Sequence, residues 1–128
     1  MATDAVIQFK YSDNTHLVAI YKRYDAFPKD VIDSLKNYLR STQNIAWDFI
    51  VADIISQFVN DSLNRKGIKM LFGMPLEDDN SFIFLWEIYP NQEFINIRIP
   101  LEESISVNIW QGNKSKLIYS GPISDFIE

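Results

Sequence analysis

From Trp47 onward the large apolar residues Ile50, Val51, Ile54, Ile55, Phe58 and Val59 recur every three or four positions, Leu63 continues the series, and after Gly67 that spacing never returns. This change of period constrains the fold more than any other feature of the chain. Spacing of three and four paints one stripe along a helix, whereas the alternation that follows belongs to strands. The helix is expected from about residue 45 to residue 66. Asn44 is placed to cap its start and Asp48 suits a first turn. Arg65, Lys66 and Gly67 supply the cationic last turn and left-handed stop that helix ends favour.

Ahead of it, Ala5, Ile7, Phe9 and Tyr11 alternate with Val6, Gln8 and Lys10, a strand packed mainly on one face. Ser12 to Thr15 is turn chemistry, and Leu17 to Arg23 resumes the alternation, so a β-hairpin opens the chain. Pro28, with its φ preset and no N–H to lose, opens a first helix. Its stripe is Val31, Ile32, Leu35 and Leu39, with Lys29, Asp30, Asp33, Lys36 and Asn37 turned away, and Ser41 to Asn44 end it.

Beyond Gly67 the spacing predicts a strand over Ile68 to Phe72, an acidic turn over Pro75 to Asn80, and a strand in which Phe82, Phe84, Trp86 and Ile88 alternate with Ile83, Leu85, Glu87 and Tyr89. Both faces of the latter are apolar, which places it centrally. Further strands are expected over Phe94 to Ile99, Ile105 to Trp110 and Lys116 to Tyr119, with Pro100 to Ser104 and Gln111 to Asn113 as connections. Pro122 would open a short closing turn, with Ile123, Phe126 and Ile127 packing down. The fold class is therefore α+β: an antiparallel sheet of N-terminal hairpin and C-terminal meander, with two helices on one face, in a single domain over residues 1–128.

Composition narrows the function. At 128 residues with 47% apolar content the chain can build one core, and the disordered class is excluded. No cysteine is present, which removes disulfides and thiol chemistry and makes the cytosol the default compartment. MATDAVIQF does not read as a signal peptide, and no apolar run approaches the ~20 residues of a membrane span. A formal charge of −5 disfavours nucleic acid as a partner. His16, the one histidine, sits beside a turn. Gly67 and Gly73 are too isolated to cradle a phosphate. Glu77, Asp78 and Asp79 lack the alternating spacing of a calcium loop, and Glu102 and Glu103 are adjacent in a connection. No nucleophile, acid–base pair or metal set emerges, so neither an enzyme nor a cofactor is expected.

One stretch concentrates chemistry. YKRYDAFPKDV, Tyr21 to Val31, combines cations and aromatics with the start of a helix. Period-two alternation sends Tyr21 and Arg23 to one side, Lys22 and Tyr24 to the other. A helix N-terminus offers free N–H groups and a positive dipole end to an anion, which Lys22 or Arg23 would reinforce. The same residues also admit a purely architectural account, in which Asp25 caps the helix and Phe27 staples its first turn to Val31.

In this motif the chain resembles small phage, prophage and bacterial proteins. They open with Met-Ala-Thr and a hairpin, carry Tyr-x-Arg/His-x-Asp-Gly-Tyr-Pro before a helix, and end with Gly-x-Ile/Leu-x-x-Phe-Ile. Tyr21, Arg23, Asp25, Ala26, Phe27 and Pro28 stand in that order, and the tail is similar in LIYSGPISDFIE. Ala26 replaces the pattern's glycine, so the turn is expected to need no positive φ. The chain is also similar in size and layout to the phage anti-Thoeris proteins that sequester cyclic ADP-ribose-type signals. That resemblance implies a non-enzymatic, oligomeric sponge for a small anionic nucleotide. Phe82, Trp86 or Trp110 would stack the base, and Arg23, Arg98 or Lys22 would hold the pyrophosphate. Phe82 and Trp86 compete for core positions, while Trp110 shares a face with Ser106 and Asn108. The alternative is an interaction module, such as an immunity or inhibitor protein, whose acidic surface meets a basic partner.

Overall fold

The computed structural model describes residues 3–61, 67–71 and 81–127. Strand β1 (Ala5–Lys10) and β2 (His16–Lys22) form the opening hairpin. Helices α1 (Pro28–Ser41) and α2 (Trp47–Asp61) follow. Then come β3 (Ile68–Leu71), β4 (Phe84–Pro90), a one-turn helix α3 (Leu101–Ser104), β5 (Ile105–Gln111), β6 (Lys116–Pro122) and a 3₁₀ turn at Ile123–Asp125. The six strands lie in the order β3-β2-β1-β4-β5-β6. This is the expected α+β architecture, with one departure: β1 and β4, at the centre, run parallel, and every other pair is antiparallel.

The register explains the burial. Ile7 is opposite Ile20 on one side and Trp86 on the other, and Trp86 is opposite Ile109, so these side chains share a face. Both helices lie against that face, where Val31, Ile32, Leu35 and Leu39 of α1 and Ile50, Val51, Ile54 and Phe58 of α2 join Ile7, Phe9, Trp86 and Ile88 in one core. On the opposite face Val6, Phe82 and Leu85 form a smaller cluster with Tyr21, Leu71 and Trp110. All six residues of β1 are buried, so the strand is enclosed on both faces rather than mainly on one.

Several expectations shift. α2 starts at Trp47, because the Ala46 carbonyl accepts the first helical bonds from Phe49 and Ile50. The Trp47 indole N–H donates to the Lys10 carbonyl at 2.8 Å, and that buried tie sets where the first turn can begin. Asn44 does not cap it; its amide donates to Asp53. Phe94 to Ile99 is not a strand. β4 and β5 are direct neighbours, which leaves no place in the sheet between them, and Phe94, Ile97 and Ile99 are exposed. The closing turn buries Ile123 and packs Phe126 edge-on against Tyr119, but Ile127 stays exposed. Leu63, Arg65, Lys66, Phe72, Gly73 and the acidic turn with Glu77, Asp78 and Asp79 lie outside the described residues. Among the described residues no helix is long and apolar enough to cross a membrane.

Candidate functional site

β2 delivers the opening motif to the edge of the helical layer. Lys22 pairs with Ala5 and Ile68, the Arg23 N–H donates to the Gly67 carbonyl at 2.8 Å, and the chain then leaves the sheet. The turn into α1 does need a positive φ, but at Asp25 (54°) rather than at Ala26; aspartate tolerates this region better than most residues. Ala26 is fully buried, and its N–H donates to the Thr3 carbonyl. Phe27 is the N-cap, with no side-chain hydrogen bond, so Asp25 does not cap the helix. Pro28 takes the first helical position, as its ring geometry favours.

The alternation along β2 divides the motif. Tyr21 turns to the face away from the helices, where its hydroxyl donates to Asp4 at 2.7 Å; burial, then that carboxylate, pushes its pKa up to about 12. Lys22 and Tyr24 face the other way. Together with Asp25 they line a cleft of about 460 Å³ whose other wall is α1 and the end of α2: Asp30, Asp33, Ser34, Tyr38, Phe58 and Asp61. Helical spacing of three and four brings Asp30, Asp33, Ser34 and Tyr38 onto one side of α1. At the base, the Tyr38 ring meets Phe58 edge to face at 5.0 Å and its hydroxyl donates to Asp61. Burial, then the Asp61 carboxylate, raises the Tyr38 pKa far above its ordinary value, so the phenol stays protonated. Gly67 closes one side, and a Cβ there would sit 3.1 Å from the Tyr24 ring.

The cleft is acidic. Among the described residues that line it, four aspartates against one lysine sum to a formal charge of −3. Asp33 is engaged by Lys29 at 3.0 Å in an exposed pair one helical turn away, which solvent screens. Arg23 does not enter: it is exposed, with its guanidinium 5.3 Å from the centre of the Tyr24 ring. The start of α1 opens instead onto a groove with Phe27, Ile118, Tyr119, Phe126 and Ile127, in which Lys29 is the one cation among the described lining residues.

The remaining candidates are not brought to this cleft. Trp86 is fully buried in the helical core and Phe82 is buried in the smaller cluster, so neither has a ring face free to stack a base. Packing explains both positions: each lies at or beside the central strand, covered on its own side. Arg98 is exposed at the Pro90 end of β4, about 20 Å of strand from the motif. Trp110 lies on the face away from the helices, half-buried, and its indole N–H donates to Glu87 at 2.8 Å. The sequence pointed to neither Asp61 nor Tyr38, and it marked Phe58 as part of a helix stripe and not as part of a site. The signal available was the spacing from Asp30 to Tyr38, which marks a second, polar side of α1.

Glu87 is the other concentration of charge. Buried on the face away from the helices, it accepts from Lys10 and Trp110, with Asn108 at 3.4 Å and Lys114 at 3.8 Å. Burial alone would raise its pKa, but the Lys10 ammonium and the Trp110 N–H outweigh it and hold the carboxyl below 4.5. Its acceptor capacity is spent inside the protein, which fits a structural role. Among the described residues no three acidic or histidine side chains converge as a metal site. No protein-family model, curated protein or solved structure matches this chain.

Proposed function

We propose that the chain is a non-enzymatic binding module that takes a basic partner, a Lys- or Arg-bearing segment of another protein, into the cleft between the opening motif and α1. One observation carries the reading: among the described residues, the cleft where the motif residues converge is lined by four aspartates, with the half-buried Tyr24 ring beside them. Carboxylates give a guanidinium paired, charge-assisted acceptors, and the Tyr24 ring favours a cation over a hydrated anion. The volume, about 460 Å³, suits one or two long side chains. The acidic balance of −5 would steer a basic partner to it. A cysteine-free chain of this kind is at home in a reducing cytosol.

Sequestration of a cyclic-nucleotide signal is the second reading, favoured by Arg23, an exposed guanidinium stacked on Tyr24 at the rim. It asks a pyrophosphate to lie beside aspartates, which is why it ranks below the first. Calorimetric titration separates the two. An Arg/Lys-rich peptide should bind, with affinity falling as salt rises, and Asp30→Asn with Asp61→Asn should weaken it at least tenfold without unfolding the protein. Binding instead of cyclic ADP-ribose isomers, cyclic di- or trinucleotides, NAD or ATP, lost in Arg23→Ala, would overturn the first reading and support the second. Silence to both panels would refute the cleft as a binding site for either class.

A further inference from the structure

Among the described residues β6 is an edge strand, paired only with β5, so the main-chain groups along its outer side have no described strand to bond. Beside it runs a mainly apolar groove of about 540 Å³ lined by Ile118 and Tyr119, by Phe27, by Pro28, Lys29 and Asp30 of α1, and by Phe126 and Ile127. Phe27, Leu117, Ile118 and Ile127 are exposed by 55, 46, 42 and 88%, an apolar concentration along a single edge. Ile118 stands at a bulge, where the register slips between Ile109 and Trp110.

The charge along the edge says what fits it. At the start of β6 stand the exposed Lys114 and Lys116; just past its end stands the exposed Asp125. An edge that is positive at one end and negative at the other is complementary to itself when reversed. We infer that β6 is the seam of a two-fold homodimer, in which β6 pairs antiparallel with β6 of a second copy about Tyr119. That alignment sets Lys116 opposite the partner's Pro122 end and brings it toward the partner's Asp125, twice by symmetry. It also apposes the two grooves, so Ile118 and Ile127 of each copy are covered. The one residue of β6 without an N–H, Pro122, lies at the strand end, where a missing donor costs a ladder least. The opposite edge is a poorer seam. β3 has four residues, and reversing it against itself brings Lys69 near its own copy with no carboxylate in the strand to meet it.

The test is the mass in solution of the intact chain and of four variants. By light scattering or sedimentation at tens of micromolar the wild type should weigh twice 14.9 kDa. Ile118→Lys should run as a monomer with an unchanged circular dichroism spectrum. Lys116→Glu and Asp125→Lys should each weaken the dimer roughly five- to thirty-fold, because each reversal turns two symmetric attractions of surface strength into repulsions. The double variant Lys116→Glu/Asp125→Lys should restore it. If Ile118→Lys does not fold, the charge series decides alone, since both positions are exposed. A monomeric wild type, or a dimer indifferent to these substitutions or not rescued by the double variant, overturns the inference.

Discussion

Removing one partner of the Lys10–Glu87 pair should cost far more than removing both. The two side chains are 6 and 7% exposed, so each ion has given up most of its water. Breaking a pair buried to this degree costs about 3–5 kcal/mol, because the survivor is left charged in a low-dielectric surrounding. The partners differ in what else holds them. Without Lys10, Glu87 still has the Trp110 N–H, Asn108 and Lys114. Without Glu87, Lys10 keeps the Asn14 side chain at 3.2 Å. Lys10→Met should therefore lie near the low end, about 3 kcal/mol, and Glu87→Leu near the high end, about 5 kcal/mol. For a chain of this size those losses lower Tm by roughly 12 and 20 °C. Lys10→Met/Glu87→Leu should fall within about 2 kcal/mol of wild type, the remainder reflecting the indole N–H left without its acceptor. Urea unfolding of the four proteins completes the cycle. The sign with pH is also set: a carboxyl held below 4.5 in the folded chain contributes stability above that value and loses it as pH falls through the folded pKa. The gap between wild type and Glu87→Gln should accordingly close in acid. Single variants costing under about 1 kcal/mol, or an additive cycle, would mean that water screens the pair and that the reasoning is wrong.

His16 is pushed below 6.5 by burial and then by the Lys10 ammonium, so the unfolded chain takes its proton first. Stability should drop as pH falls from 7.5 toward 5.5, and His16→Gln should flatten that slope; equal slopes in Tm would count against it. The Trp86 indole N–H is buried with no hydrogen-bond partner among the described residues. Trp86→Phe, which removes the stranded donor, should cost less than about 1.5 kcal/mol, against about 3–5 kcal/mol for Trp86→Ala. Chemical denaturation of both variants measures the difference, and similar losses would refute it. Gly67→Ala, whose Cβ would crowd the Tyr24 ring, should disturb peptide binding at the cleft more than Tm; unaltered binding would place Tyr24 outside the contact.

Local pattern alone determined most of the elements. The four-residue stripe through Ile50, Ile54 and Phe58, the proline opening α1 and the alternation about Trp86 each depend on neighbours a few positions away. The same alternation correctly separated Lys22 from Tyr21, since in a strand direction follows parity. What depended on distant partners was decided only by the tertiary structure. Phe94 to Ile99 alternates like a strand, yet β4 and β5 pair directly with each other and leave no place between them for the segment that joins them. Nothing in Ala5 to Lys10 says that β4 will lie beside it in parallel and bury its polar side as well as its apolar one. The motif's cations read as an anion site because the sequence shows them next to a helix start. The fold instead carries Arg23 out over Tyr24 and draws Asp30, Asp33 and Asp61, as many as 39 positions further along, up to Lys22. The sign of a cleft is the sum of the charges that folding gathers around it, and that sum is not a local property of the chain.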